Sequence, residues 1–104
     1  MDSSPIIKAN AIEENWAVYG ATILCNAAAP TIMDNTVLGN SGGTFGGGVY
    51  CWNSSPTITN NTFERNQASY GRAIYCDYYS SPTIHDNTIT GNTADVYGGG
   101  IYCD

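Results

Sequence analysis

Charge is scarce in this chain: Asp, Glu, Lys and Arg make up 12% of its 104 residues, about half the usual share. Lys8, Arg65 and Arg72 are the only strong bases, and nine acids bring the formal net charge to −6. Neutralising a nucleic-acid backbone takes clustered Lys and Arg, and attraction to an anionic membrane surface takes the same. Neither partner is expected. Good helix-forming windows are missing as well, AIEENWA at 11–17 being the best of them. No run approaches the roughly eighteen apolar residues of a membrane span, so no membrane insertion is expected. The opening Asp2-Ser3-Ser4-Pro5 has neither the basic start nor the apolar run of a signal peptide.

What is abundant is Gly, Asn, Thr, Ser and Tyr, with 42% hydrophobic residues, a mixture suited to short strands and turns in one modest domain. These residues also keep time. Prolines stand at 5, 30, 56 and 82, and cysteines at 25, 51, 76 and 103. Asn10, Asn35, Asn61 and Asn87 each lie five residues after a proline; Asn15, Asn40, Asn66 and Asn92 each lie ten after it. The chain is therefore read as one domain of four repeats, approximately 3–27, 28–53, 54–79 and 80–104. Leucine-rich repeats overlap this period but need a leucine frame, and only Leu24 and Leu38 are present. Helical repeats run longer. The remaining solution is an all-β solenoid: a parallel β-helix of about four coils of 25–26 residues, with three short strands per coil and no capping helix.

Stacking at about 4.8 Å puts equivalent residues in columns. Ile7, Ile32, Ile58 and Ile84 form one apolar column; Ile12, Val37, Phe63 and Ile89 a second; Ile23, Val49, Ile74 and Ile101 a third. Three inward columns predict a narrow triangular core. Alternation along Ile-Tyr-Cys predicts Cys25, Cys51, Cys76 and Cys103 on the inner face and Tyr50, Tyr75 and Tyr102 outside. The eight repeated asparagines are read as ladders at sharp corners, because Asn tolerates the left-handed backbone and its amide bonds to its counterpart one coil on.

Phe63-Glu64-Arg65-Asn66, followed by Gly71-Arg72-Ala73-Ile74, resembles the paired FxxN and GGA(I/L/V) motifs of polymorphic outer-membrane protein repeats. Gly98-Gly99-Gly100-Ile101 and Gly46-Gly47-Gly48-Val49 are near-matches to the second half; Arg72 and the first copy, Gly20-Ala21-Thr22-Ile23, depart from it. More broadly, the repeats are similar to the right-handed parallel β-helices of the pectate-lyase-like superfamily, and the similarity covers essentially the whole chain. It implies a right-handed coil and a secreted or cell-surface setting. It does not imply one activity, since the architecture hosts lyases, hydrolases, adhesins and inert stalks.

The candidate sites are few. Asp34 and Asp86 lie two coils apart, roughly 9.6 Å, with Asn60 between them and His85 next to Asp86. That separation falls near the upper end for an inverting carboxylate pair. Residues adjacent on a strand should face opposite ways, however, and three bases are too few for a uronate substrate, so no active site is expected. Tyr50, Tyr75, Tyr102 and Trp52 form an aromatic face able to meet a sugar or a protein. A second aromatic column runs through Tyr19, Phe45, Tyr70 and Tyr97, and Trp52, Tyr78 and Tyr79 lie in the loops just after a cysteine. Thr31, Thr57 and Thr83, with Thr36, Thr62 and Thr88, are read as strand formers. The four cysteines stand in a line and not in the tight pairs of a zinc site. Buried free thiols are expected, with a disulfide as the alternative and no metal or cofactor.

The expectation is a structural or interaction module of a secreted or cell-surface β-helix, a segment of a longer one that associates end to end through uncapped coils. The rival is part of a carbohydrate-active β-helix, a lyase-like or hydrolase-like protein or a carbohydrate-binding surface.

Overall fold

The computed structural model describes residues 4–18, 22–42, 44, 47–70, 73–77, 79–97 and 100–103. Sixteen strands, numbered in chain order, form four parallel sheets of four. The first sheet stacks β1 (Ile6–Lys8), β5 (Thr31–Met33), β9 (Thr57–Thr59) and β13 (Thr83–His85). The second holds β2 (Ala11–Glu13), β6 (Thr36–Leu38), β10 (Thr62–Glu64) and β14 (Thr88–Thr90). The third holds β3 (Trp16–Ala17), β7 (Ser41–Gly42), β11 (Gln67–Tyr70) and β15 (Thr93–Tyr97). The fourth holds β4 (Ile23–Asn26), β8 (Val49–Trp52), β12 (Ile74–Cys76) and β16 (Ile101–Cys103). The described residues contain no helix.

Two expectations about the coil are corrected. Each coil has four strands, not three, and the added third sheet makes the core four-sided. Its inward column is small: Ala68 is buried, and Ala17 and Ala94 are half-buried. Alanine carries too little apolar signal to mark a strand on a sequence. Counted as closed turns, the solenoid makes about three where four coils were expected. Four strands per sheet give only three stacking steps.

The core follows the register. Ile32 pairs with Ile58, Val37 with Phe63, and Val49 with Ile74, and all six are fully buried. Burying each such side chain contributes roughly 1.5–3 kcal/mol. Their end-coil counterparts are less covered: Ile7, Ile12, Ile84 and Ile89 are half-buried and Ile101 is 40% exposed. A bulge between Ala68 and Tyr70 lets β15 carry one extra residue, so that Tyr70 aligns with Tyr97.

Corners are made by left-handed residues. Ala9, Asp34, Asn60 and Asp86 follow the first sheet with φ of 56, 58, 56 and 57°. Glu14, Gly39, Arg65 and Gly91 follow the second with φ of 54, 64, 54 and 61°. Each precedes a ladder asparagine by one position, and none of the eight ladder asparagines has positive φ. The corner-setting role assigned to them on the sequence therefore belongs to the residue before. The asparagine supplies hydrogen bonds instead. The two threonine columns lie on different sheets, in β5, β9, β13 and in β6, β10, β14.

Candidate functional site

The first candidate is the outer corner after the first sheet. Asn60 Nδ2 donates to Asp34 Oδ1 at 2.6 Å, and His85 Nδ1 lies 2.8 Å from Asp86 Oδ2 and 3.3 Å from Thr59 Oγ1. The expectation that His85 and Asp86 face opposite ways is overturned. Asp86 sits in the left-handed region, φ 57°, where the alternation of an extended strand no longer applies. The side chains of the pair are 53% and 79% exposed, and an ion pair so open to water contributes little. Chemically, a His–Asp pair can orient an imidazole as a base. Here it is a surface contact beside Thr59, and the Asp34 carboxylate is tied to a neutral amide.

The second candidate is the aromatic face. Leu24, Tyr50, Tyr75 and Tyr102 are aligned in register on the fourth sheet. The Tyr75 and Tyr102 rings stack at 5.2 Å with 18° between planes; Tyr50 and Tyr75 are 5.3 Å apart and tilted by 58°. Rings that stack on one another along the coil axis present edges to solvent, whereas a sugar packs on a ring face. Trp52, aligned with Asn26 and 52% exposed, is the ring at the margin of this column. Burial holds the Tyr50 phenol above its ordinary pKa, with the charge of Asp77 adding to the effect. Tyr19, Phe45, Tyr78 and the side chain of Tyr97 lie outside the described residues.

The third is internal. Asn10, Asn35, Asn61 and Asn87 form one ladder, and Asn15, Asn40, Asn66 and Asn92 the other. At each step the backbone N–H and Nδ2 of one asparagine both donate to Oδ1 of the next, as from Asn35 to Asn61 at 3.0 Å each. The second amide hydrogen goes back to the preceding coil: Asn61 Nδ2 donates to Ile32 O and Asn66 Nδ2 to Val37 O, both at 2.9 Å. The ladders thus have a direction. Oδ1 faces the N-terminal side, while the backbone N–H and one amide hydrogen face the C-terminal side. Asn35, Asn40, Asn61 and Asn66 are buried, so their hydrogen bonds also satisfy groups that water cannot reach.

Cys25, Cys51 and Cys76 are buried and Cys103 is exposed; all four are free thiols. Cys103 falls short of the inner burial expected for it because it lies on the last strand. Hydrogen bonding of the Cys51 S–H to Cys25 and Cys76, together with burial, holds the Cys51 thiol far above the ordinary thiol range, and the same contacts lower Cys25 and Cys76. Burial and the neighbouring Cys76 push Cys103 up to about 11. Cys51 and Cys103 are therefore poor nucleophiles at neutral pH.

One polar stack escaped the sequence reading. Ser54 Oγ donates to Trp52 O at 2.9 Å and accepts from Ala28 N–H at 3.3 Å, while Ser54 N–H donates to Ser80 Oγ at 3.1 Å. The signal was the serine two residues before each of Pro56 and Pro82. An open groove of about 380 Å³ lies near it, lined by Ser4, Ala27, Ala28, Ala29, Asn53 and Ser55. Among the described residues, its lining carries no ionisable side chain.

A directional stack of short parallel strands closed around aliphatic columns defines a β-solenoid of repeats. Over residues 1–104 the chain matches the family described as right handed beta helix region, and it belongs to that family. No curated protein and no solved structure matched it.

Proposed function

We propose that this β-helix is a structural and interaction module, without an active site of its own, that associates head to tail with further copies through its end coils. The observation that carries this reading is the polarity of the asparagine ladders. Among the described residues, Asn10 Oδ1 and Asn15 Oδ1 accept no hydrogen bond, and the Asn87 backbone N–H donates none. One end offers acceptors and the other a donor. Pairing two identical ends would set like groups against each other, whereas head-to-tail stacking continues the ladder. The apolar columns support the same contact. Ile84, Ile89 and Ile101 lie on the last coil and Ile7 and Ile12 on the first, each less covered than its fully buried counterparts. A head-to-tail contact does not close on itself and so propagates.

A secreted or cell-surface setting is part of the proposal and rests on the similarity of the repeats to surface-displayed β-helices. The carbohydrate-active alternative draws support from Trp52 alone, since the tyrosine rings mostly stack on each other.

The test is molar mass in solution by size-exclusion chromatography with light scattering, across a hundredfold concentration range. Mass rising with concentration is expected. A monomer throughout that range sinks self-association. Specific cleavage of any polysaccharide in a panel of neutral and anionic glycans would sink the non-enzymatic reading separately.

A further inference from the structure

The thiol column has a use that its straightness decides. Cys25, Cys51, Cys76 and Cys103 are in-register partners on successive strands of the fourth sheet. Parallel in-register strands separate their sulfurs along a line, by a rise of roughly 4.8 Å per coil. A line cannot enclose a tetrahedral zinc ion. Parallel side chains also give poor torsion for a disulfide, and all four thiols are free. A cation held in line between two thiolates has a different requirement. Zinc–thiolate bonds are roughly 2.3 Å long, and two metal–sulfur bonds of about that length laid end to end span about the rise of one coil. Thiolate ligands select soft ions of the Cu(I) type.

We propose that Cys76 and Cys103 form a two-coordinate site for a soft monovalent cation of the Cu(I) class. Position singles out this pair from the other two along the column. Cys103 is exposed on the last strand while Cys76 beneath it is fully buried, so an ion reaches one sulfur from solvent and the second lies directly below. At the other end Cys25 is 3% exposed, and the Cys25–Cys51 pair is closed to solvent. Ile74, fully buried on the same strand as Cys76, keeps water from the inner sulfur. Binding is a substitution without redox change: two S–H bonds break, two sulfur–metal bonds form, and two protons leave to solvent.

The experiment is an anaerobic titration of the whole reduced chain with Cu(I) held by a chromophoric chelator, at a protein concentration where light scattering gives monomer. That condition separates this site from end-to-end association. One Cu(I) per chain is expected, with X-ray absorption showing two sulfur neighbours and no other ligand. Cys103→Ser should weaken uptake at least a hundredfold, while Cys25→Ser, checked for folding by circular dichroism, should leave it unchanged. No uptake against the chelator overturns the proposal. So does equal uptake by Cys103→Ser, or a coordination shell of three or more ligands.

Discussion

The Oδ1 of Asn87 accepts two hydrogen bonds from one residue: the Asn61 backbone N–H at 2.9 Å and the Asn61 Nδ2 at 3.0 Å. The same pairing recurs at every step of both ladders. A parallel β-solenoid must turn its chain several times per coil, and each turn threatens to leave backbone groups unpaired inside. Here the turning is done by one left-handed residue, and the asparagine after it ties its coil to both neighbours.

Removing a central rung should therefore cost much more than removing a terminal one. In Asn61→Ala, the amide contacts to Ile32 O, Thr59 O and Asn87 Oδ1 disappear, and the Asn35 N–H and Nδ2 lose their acceptor. Several of these groups are buried, and each unsatisfied one costs about 1–3 kcal/mol, so the loss should exceed about 3 kcal/mol. Asn10→Ala removes only contacts to Lys8 O and Asn35 Oδ1 at the exposed end, a loss of about 1 kcal/mol or less. Urea unfolding of the two variants measures the difference; equal losses would refute the ladder as the main tie between coils.

Gly48 marks a second point where one atom decides. A Cβ there would lie 2.5 Å from the Ala73 carbonyl oxygen and 3.0 Å from Phe63 Cδ1. The first neighbour is backbone and Phe63 is fully buried, so neither yields easily. Gly48→Ala should destabilise by about 1–3 kcal/mol through overpacking. Gly100→Ala, whose nearest neighbour is Ile89 Cγ2 at 3.0 Å on the half-open last coil, should cost distinctly less. Thermal melts of both variants would show the order, and a milder effect at Gly48 would contradict the packing described.

The fold was legible because its signals repeat. Pro5, Pro30, Pro56 and Pro82 mark the coil, and Ile32, Ile58, Val37 and Phe63 declare themselves as core by chemistry alone. The third sheet was not legible, because its inward residues Ala17, Ala68 and Ala94 are too small to show a strand period. The meeting of His85 with Asp86 was misread for a related reason. Strand alternation was extended one residue too far, across a left-handed corner that Asp34, Asn60 and Asp86 share. The Ser54–Ser80 contact was hidden because a serine before proline looks like an ordinary turn. The direction of the ladders exists only in three dimensions, since it depends on which amide atom faces which neighbour.

Tyr50 gives the fold a dependence on alkaline pH. Burial first, then the charge of Asp77, holds its phenol above the ordinary 10.0. A folded-state pKa above the unfolded one means that its contribution to stability is fully present below about pH 10 and is lost as pH rises through the folded value. Absorbance at 295 nm should show Tyr50 as a late-titrating tyrosine that Tyr50→Phe removes. Asp77→Asn should bring that titration to lower pH. An unchanged profile in Asp77→Asn would show that the carboxylate does not reach the phenol.

The sense of stacking can be tested with two blocked ends. Ile101→Lys places a charge on the last coil, where the side chain is 40% exposed, and Ile7→Lys places one on the first, where the side chain packs against the core. Head-to-tail association uses one face of each kind, so either variant alone should be monomeric in light scattering. Mixed in equal amounts, the two should form a heterodimer and nothing larger, because the Ile101→Lys chain keeps its first coil and the Ile7→Lys chain its last. Pairing of like ends predicts otherwise: one variant would still dimerise alone, and mixing would add nothing. Circular dichroism of each variant excludes unfolding as the cause of a lost contact. The mixed sample is the deciding one, since only complementary ends can restore in a mixture what both components have lost.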